Sequence, residues 1–323
     1  MRNTKITLIF GIYFLISGCK KSETKIDYRD EMRSFVKGIS GWARARIPGF
    51  LIIPQNGHNL LTSDGTKDGA PVLDYIVAID GVGREDLFYG FTGDDEATPE
   101  VDKNEMLGLM EVAKNNGLKV LATDYCSTPF KMDDSYSQNE NLGYISFAAD
   151  HRGLDNVPSY PFPMHNVNSI NIDSLSKAKN FLYLIDPELF QSTNDFIQAV
   201  NNSNCDVVVM DLFFRHNAQF TAQEISMMKT RSNGGTRKVI CYMSIGEAED
   251  YRFYWKSYWK TSPPDWLIAE NPAWGGNYKV KYWDKNWQNI IYGSGDTYLQ
   301  RIINSGFDGV YLDIIDAYEF FEN

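Results

Sequence analysis

Short apolar segments recur along the whole chain, and they limit its possible folds more strongly than any other feature. Each segment is continuously apolar rather than alternating, which is typical of parallel strands that are covered on both faces. Turn-forming residues bound each of them. The eight candidate strands are residues 50–53, 75–79, 119–123, 144–148, 181–185, 207–210, 239–243 and 310–312.

Segments with helical periodicity lie between several of these strands. Strands that alternate with helices predict an α/β fold, and eight strands predict a (β/α)8 TIM barrel. The 323 residues suit one such domain, which we assign to residues 28–323. The predicted helices are residues 105–116, residues 192–201, a helix that a capping box at Thr221 and Glu224 opens, and residues 286–304.

The two ends of this domain depart from the usual barrel order. Only residues 314–323 follow the last strand, which is too little for a full closing helix. Residues 27–46 form an amphipathic pattern before the first strand, and this helix could fill the vacant place. The pattern predicts a circularly permuted barrel. The simpler alternative is a truncated last helix with an extra helix at the N-terminus.

The first residues resemble a bacterial lipoprotein signal. Arg2 and Lys5 precede an apolar run at residues 6–16, which is too short to span a bilayer as a helix. Small residues then lead to Cys19, as in a lipobox. We therefore expect a signal peptide at residues 1–19, acylation of Cys19, and a polar tether at residues 20–27. The predicted location is an exported lipoprotein on a membrane, periplasmic or at the cell surface; the alternative is an uncleaved anchor with a chance cysteine.

Charge and composition narrow the classes of partner. The net charge of −11 disfavours nucleic acid and anionic lipid headgroups, since a surface of this charge would repel them, and it favours a neutral or cationic substrate. Cys126, Cys205 and Cys241 are an odd set within apolar runs, so we expect buried thiols rather than disulfides. The four histidines show no metal-ligand spacing, so we predict no metal and no cofactor. We expect a monomer.

Acids and amides recur where the predicted strands end. In a (β/α)8 barrel these ends form the mouth that carries the active site. Paired carboxyls suit glycoside hydrolysis, because one protonates the leaving oxygen and the other serves as base or nucleophile. A single acid there could instead cap a helix, but recurrence at most strand ends favours a site. The residues are Gln55, Asn56, Asp80, Glu85, Asp124, Asp211, Glu247, Glu249, Asp313 and Asp316.

Aromatic residues are concentrated in one part of the chain. Six of the seven tryptophans fall within residues 255–287, interleaved with tyrosines. Aromatic faces pack well against the apolar faces of sugar rings. Several could equally form the core of a long loop, so we expect a mixture with at least one ring exposed at the mouth.

Four segments resemble a known family. Residues 242–252, 266–272, 276–284 and 306–318 are similar to the bacterial branch of the endo-α-1,4-polygalactosaminidase family, glycoside hydrolase family 114. This resemblance covers roughly residues 178–323. Residues 43–57 and 80–89 resemble family segments that usually follow the motif ending at Asp313, whereas here they precede it. The order supports a permuted barrel.

The resemblance implies endo-hydrolysis of α-1,4-linked galactosamine polymers, whose positive charge would suit an acidic mouth. It implies Asp313 as one catalytic carboxyl and a residue within 80–85 as the other. Glu85 keeps the residue type, and Asp80 fits the predicted strand end. The rival hypotheses are a catalytically silent carbohydrate-binding lipoprotein and, disfavoured by the lack of a metal constellation, a deacetylase. The substrate-binding candidates are Gln55, Asn56, Asp124, Asp211, Tyr242, Glu247, Arg252, Trp283 and Asp316.

Overall fold

The computed structural model describes residues 26–215 and 218–322. The predicted signal peptide, Cys19 and most of the predicted tether lie outside this range. The strands in chain order are β1 (Leu51–Pro54), β2 (Gly81–Glu85), β3 (Lys119–Tyr125), β4 (Ile145–Ala149), β5 (Phe181–Leu184), β6 (Val207–Met210), β7 (Phe213–Phe214), β8 (Ala218–Gln219), β9 (Lys238–Ser244), β10 (Glu247–Glu249), β11 (Leu267–Glu270), β12 (Asn277–Val280) and β13 (Gly309–Asp313).

The helices vary widely in length. None within the described residues is long and apolar enough to cross a bilayer. The α-helices are α1 (Tyr28–Arg44), α2 (Leu73–Ile76), α3 (Glu100–Asn115), α4 (Pro129–Leu142), α5 (Thr193–Ser203), α6 (Ala222–Met228), α7 (Lys285–Ile291), α8 (Tyr298–Asn304) and α9 (Tyr318–Glu322), and short 3-10 helices lie at His58–Leu61, Leu175–Lys177, Ser257–Lys260 and Ile315–Ala317.

Two parallel sheets organise the fold. One has five strands in the order β1-β13-β9-β6-β5, and the other has three in the order β2-β3-β4. Single parallel bridges join their edges, from Gln55 to Gly83 and from Ser146 to Asn180. A flat five-stranded sheet would hold its edge strands about 19 Å apart. Instead the Tyr183 hydroxyl on β5 donates to Gln55 Oε1 just after β1 at 2.8 Å, so the sheet is strongly curved.

Seven of the eight predicted parallel strands are present where the apolar runs indicated. The second prediction was wrong, because residues 75–79 include the end of α2 and the strand lies at Gly81–Glu85 instead. A Cβ at Gly83 would collide with the Tyr311 ring, and one at Gly81 would lie 2.6 Å from the Lys119 carbonyl oxygen. The packing therefore requires glycine, and the strand loses the apolar pattern that would reveal it.

The predicted helices are largely confirmed. Thr221 and Glu224 form the capping box that opens α6. Residues 286–304 divide into α7 and α8, because Gly293 and Gly295 between them adopt φ values of 126° and 105°. Cys126, Cys205 and Cys241 are buried and free, as their apolar surroundings predicted.

The N-terminal helix α1 packs between elements from both ends of the chain. Its buried face contacts α2, α8 and α9. Ser40 donates to the Ala78 carbonyl at 2.6 Å, Arg33 donates to the Leu60 carbonyl at 2.9 Å, and the Phe35 and Tyr292 ring centroids are 6.0 Å apart. Because β1 pairs with β13, α1 lies between the helix that precedes β13 and the one that precedes β2.

Candidate active site

The strands β1, β2 and β13 end in the same unusual way. Each is followed closely by a residue with left-handed backbone, with φ of 58° at Asn56, 60° at Asp86 and 57° at Ile314. A β-branched residue such as Ile314 rarely adopts this conformation, which costs on the order of 1–3 kcal/mol. The strained turns immediately follow Glu85 and Asp313, so the surrounding structure fixes the backbone that carries these two acids.

Asp313, the last residue of β13, is half-buried at the mouth. Its Oδ2 accepts a hydrogen bond of 2.6 Å from the Tyr242 hydroxyl. Burial, together with the negative charge of Glu85, raises the pKa of Asp313 to about 7. Asp313 can therefore hold and release a proton near neutral pH.

Glu85, the last residue of β2, is oriented by two neighbouring strand ends. Its Oε2 accepts from the Asn56 side-chain amide at 2.8 Å, and its backbone N–H donates to Asn56 Oδ1 at 3.1 Å. Its Oε1 accepts from the Tyr125 hydroxyl at the end of β3. These contacts fix the Glu85 carboxylate beside Asp313. The negative charge of Glu85 contributes to the raised pKa of Asp313.

A third acid, Asp316, lies one turn beyond Asp313. It is half-buried, and burial followed by the charge of Glu319 raises its pKa to about 6. Within the described residues, no lysine or arginine forms a salt bridge with Glu85, Asp313 or Asp316. The centre of the mouth is thus acidic, and the nearby Arg84 acts on Asp316 through its charge without forming a salt bridge to it.

Tyrosines form the floor beneath these acids. The rings of Tyr183 and Tyr311 are 5.2 Å apart, and both residues are almost fully buried. Burial raises the pKa of both hydroxyls, so they stay neutral. Sequence reasoning selected Tyr242 but missed Tyr125, Tyr183 and Tyr311. Tyr183 and Tyr311 carried an available signal, since each is a polar-tipped residue within an apolar run.

Asp211 and Arg252 belong to a buried ion cluster. Arg252 donates to both carboxylate oxygens of Asp211 at 2.8 and 2.6 Å, and its Nε donates to Glu249 at 2.7 Å. The Tyr251 hydroxyl donates to Glu249 at 2.7 Å. The arginine is shared by two carboxylates, so each acid has a cationic partner, although one positive charge does not balance two negative ones. It fastens the segment after β9 to the end of β6, so we interpret it as support for the mouth.

Asp80 occupies the opposite end of its strand from the predicted one. It precedes β2, and its Oδ2 accepts from the Arg44 guanidinium and the Ile52 N–H, both at 2.8 Å. The expectation that Asp80 follows the second strand was wrong because the strand begins after it. Of the two alternatives within 80–85, only Glu85 lies at the mouth.

Asp124 is placed where it cannot contact a substrate in this conformation. It is fully buried, and its carboxylate accepts from the Phe88 N–H at 2.7 Å, Ser135 at 2.6 Å and Asn139 at 3.1 Å. Successive residues of a strand face opposite sides. Tyr125 therefore points to the mouth while Asp124 points toward α4, which corrects the predicted binding role.

Three other predicted binding residues lie at the margins of the site. Gln55 is buried beneath the mouth, where its Oε1 accepts from Tyr183. Glu247 is buried and accepts from Asn271 at 2.8 Å. Trp283 packs against Tyr28 and Phe321, with ring centroids 5.0 and 4.7 Å apart. The residues that the structure brings together at the centre are Asn56, Glu85, Tyr242, Asp313 and Asp316.

Comparison with known proteins agrees with this chemistry. Residues 173–323 match the sequence profile of Glycoside-hydrolase family GH114, whose members have a (β/α)8-barrel fold. The match suggests a glycoside hydrolase. The matched range contains Asp313, Asp316 and Tyr242, whereas Glu85 and Asn56 lie before it.

Relatives from three microorganisms align with parts of the chain. An uncharacterized protein of Methanocaldococcus jannaschii is 39% identical over 180 residues, which cover 55% of this chain and 49% of that protein. Uncharacterized proteins of Thermotoga maritima and Deinococcus radiodurans are 40% and 42% identical, over 41% and 39% of this chain and 39% and 38% of their own lengths. The chain thus spans half or less of the length of these relatives.

Proposed function

We propose that this protein is a glycoside hydrolase that cleaves an amino-sugar polysaccharide such as α-1,4-linked polygalactosamine. The observation that carries the proposal is the neighbouring pair of Glu85 and Asp313 at two strand ends, where burial and then the charge of Glu85 raise the pKa of Asp313 to about 7. The family match of residues 173–323 supports the reaction class. The choice of polygalactosamine follows from the family resemblance, and the acidic mouth supports a cationic sugar.

The surroundings of the two carboxyls suggest a division of roles. Asp313, whose pKa burial and Glu85 raise to about 7, can protonate the departing glycosidic oxygen. Glu85 is held by donors from Asn56 and Tyr125, an environment suited to a carboxylate that serves as base or nucleophile. The Tyr242 hydroxyl would orient Asp313 through its hydrogen bond of 2.6 Å.

The charge of the site supports a cationic sugar as substrate. Glu85, Asp313 and Asp316 lie together, and none forms a salt bridge to a lysine or arginine within the described residues. A protonated amine would offset their mutual repulsion, whereas a neutral acetamide would not. The net charge of −11 would also attract a cationic polymer from solution.

We also propose that the eight parallel strands close into a (β/α)8 barrel in permuted chain order. The bridges at both sheet edges and the contact of α1 with α8, the helix that precedes β13, support closure. The family match begins at residue 173, shortly before β5, which supports β5 as the first strand of the usual order. An experimental structure with a gap between β4 and β5 would contradict this proposal.

For the location, we propose export and lipid anchoring through Cys19. The basic, apolar and small residues that lead to Cys19 support it. Replacing Cys19 with alanine should release the protein from the membrane fraction of its host. Retention of the Cys19→Ala protein in that fraction would show that another anchor exists.

The hydrolase proposal is tested with defined oligomers. The purified protein should be incubated with α-1,4-linked galactosamine oligomers, their N-acetylated forms and neutral galactose oligomers, with mass detection of shortened products. We expect cleavage of the free-amine series and none by the Asp313→Asn variant. If the parent protein cleaves nothing but binds one series tightly, a carbohydrate-binding lipoprotein becomes the better interpretation.

A further inference from the structure

The loop after β4 reaches back to the strand ends that hold Glu85. Its residue Arg152 lies against the ends of β2 and β3. The guanidinium carbon of Arg152 is 4.2 Å from the centroid of the Tyr125 ring, and Nη2 donates to Asp86 Oδ1 at 2.8 Å. Its Nε donates to Asp94 Oδ1 at 2.6 Å. One arginine thus joins a ring at the end of β3 to an acid that directly follows β2.

Two of the groups that Arg152 contacts are directly connected to Glu85. The Tyr125 hydroxyl donates to Glu85 Oε1. Asp86 follows Glu85 in the chain and has the left-handed backbone, with φ of 60°, that ends β2. A guanidinium is attracted to the face of an aromatic ring, and its bond to a carboxylate is directional. Arg152 can therefore restrain Glu85 through its hydrogen-bond partner and through its neighbour in the chain.

Gly90 shows how closely these groups pack. A Cβ there would lie 2.3 Å from Asp86 Oδ1, and 3.2 Å from both Arg152 Nη2 and Tyr125 Cβ. Its φ of 119° also lies in the region that favours glycine. The Gly90 carbonyl accepts a further hydrogen bond from Arg152 Nη2. Backbone thus fills the space between the arginine, the acid and the ring, so the position of each limits the positions of the other two.

The loop that carries Arg152 is anchored at its other end. The Ile185 N–H, just after β5, donates to the Leu154 carbonyl at 3.0 Å. His151 lies between two acids, with Nδ1 2.8 Å from one Asp150 oxygen and Nε2 2.7 Å from one Asp155 oxygen. The loop therefore links the end of β5 to the ends of β2 and β3, across the edge where the two parallel sheets meet.

We propose that Arg152 is a positioning residue that keeps the Glu85 carboxylate beside Asp313. It acts through Tyr125 and Asp86, which it holds from the loop after β4. This inference rests on the proposed function, because the position of Glu85 affects turnover only if the pair of acids is catalytic. A misplacement of about 1 Å can cost on the order of 10² in rate. Because Arg152 acts on Glu85 rather than on the substrate, its loss should lower kcat and leave KM nearly unchanged.

The test compares Arg152→Met and Arg152→Lys with a matched control, Arg301→Met. Arg301 makes the same kinds of contact on α8, since its Nε donates to Asp296 at 2.7 Å and its guanidinium carbon lies 3.8 Å from the Phe253 ring centroid. With α-1,4-linked galactosamine oligomers, we expect Arg152→Met to lower kcat about tenfold to a hundredfold, with KM within about twofold of the parent value. Arg152→Lys should recover part of the loss, because an ammonium can still lie over the Tyr125 ring. Arg301→Met should keep the parental kcat.

The pKa of Asp313 provides a readout that needs no hydrolysis, and NMR titration of its isotope-labelled carboxyl measures it. The charge of Glu85 contributes to the raised pKa of Asp313. Loss of the positive charge of Arg152 alone would raise this pKa further, whereas release of Glu85 from its position would lower it. We therefore expect the pKa of Asp313 to fall in Arg152→Met and to stay unchanged in Arg301→Met.

The outcomes separate this inference from the hydrolase proposal. If the parent cleaves nothing but the pKa of Asp313 falls in Arg152→Met, the positioning role stands and the hydrolase proposal fails. If the parent cleaves oligomers and Arg152→Met keeps the parental kcat or does not lower the pKa of Asp313, the positioning role is refuted while hydrolysis stands. No cleavage by the parent together with an unchanged or raised pKa would overturn both. If Arg152→Met does not fold, Arg152→Lys decides, since a parental kcat and a parental pKa of Asp313 in that variant would refute the inference.

Discussion

The two ends of the parallel strands carry similar acids in opposite electrostatic settings. An aspartate stands just before β2, β6 and β13, at Asp80, Asp206 and Asp308. Five residues after Asp80 and Asp308, the same strands end in Glu85 and Asp313. β2 and β13 thus each have one acid at the N-terminal end and another at the C-terminal end.

At the N-terminal end each acid is compensated. Asp80 pairs with Arg44 at 2.8 Å, Asp308 pairs with Lys229 at 2.9 Å, and Asp206 is paired with Arg231 in full burial. Each also accepts from a backbone N–H of a neighbouring segment, at Ile52, Val239 and Lys179. These acids therefore connect neighbouring segments and stabilise the fold.

At the C-terminal ends of β2 and β13 the acids lack such compensation, whereas Asp211, which follows β6, is paired with Arg252. Glu85, Asp313 and Asp316 have no salt-bridge partner among the described residues, and burial and mutual repulsion raise the pKa of Asp313 and Asp316 to about 7 and 6. Crowded carboxyls disfavour the folded state but make protons available for chemistry. On β2 and β13, the strand end rather than the residue type therefore separates supporting acids from reactive ones.

The largest expected effect is on catalysis at the C-terminal end. Asp313→Asn should lower the rate of hydrolysis by on the order of 10²–10⁴, because the amide cannot donate the proton. Its Tm should not fall, since one of the crowded charges is removed. The matched control Asp308→Asn, just before the same strand, should keep full activity and lower the Tm. Equal losses of activity in the two variants would contradict the contrast between the ends.

The next effect is on stability at the N-terminal end. Asp206→Ala leaves the Arg231 guanidinium buried without its carboxylate, so the free energy of unfolding should fall by about 3–5 kcal/mol. Denaturant titration measures the loss. Adding Arg231→Met should recover most of it, and no recovery in the double variant would show that the charge pair is not the cause.

These contrasts show what the sequence could predict. Continuous apolar runs located seven of the eight parallel strands, because burial on both faces imposes that pattern. The strand that carries Glu85 was missed, since the Tyr311 ring and the Lys119 carbonyl require glycines within it. Asp80 was consequently placed at the wrong end. Tertiary packing, which no local pattern reports, decided this strand.

The acids of the site were only partly predictable for a related reason. A strand alternates its two faces, and a shift of one residue separates Tyr125, which contacts Glu85, from Asp124, which is buried toward α4. The sequence locates both at the same strand end without revealing their direction. Asp313 was identified because a long motif surrounds it, whereas Tyr125 and Tyr183 lie outside the four family motifs, on β3 and β5.

The pH dependence of stability should differ between the parent and Asp313→Asn. The folded protein holds a proton on Asp313 up to its raised pKa of about 7, whereas the unfolded chain releases it near the ordinary value of 3.8. Between these values the folded state binds more protons, so the parent should lose stability as pH rises from about 4 to 7. Asp313→Asn should lose less over this range. Identical pH profiles from denaturant titrations would contradict the shifted pKa.

The smallest expected effect distinguishes the two acids of one strand, Asp80 and Glu85. Asp80→Asn removes a partly exposed ion pair with Arg44, which contributes about 0.2–1 kcal/mol, while an amide oxygen can still accept from Ile52. Its kcat and KM should therefore equal those of the parent, with a slightly lower Tm. Glu85→Gln keeps the shape of the side chain but removes the charge beside Asp313, so activity should fall steeply and the pKa governing the acidic group should shift downward. The two variants alter acids at opposite ends of one five-residue strand. A difference in their activities therefore shows which end of β2 carries the catalytic carboxyl. If Asp80→Asn abolishes hydrolysis while Glu85→Gln does not, the catalytic pair has been placed at the wrong end of β2.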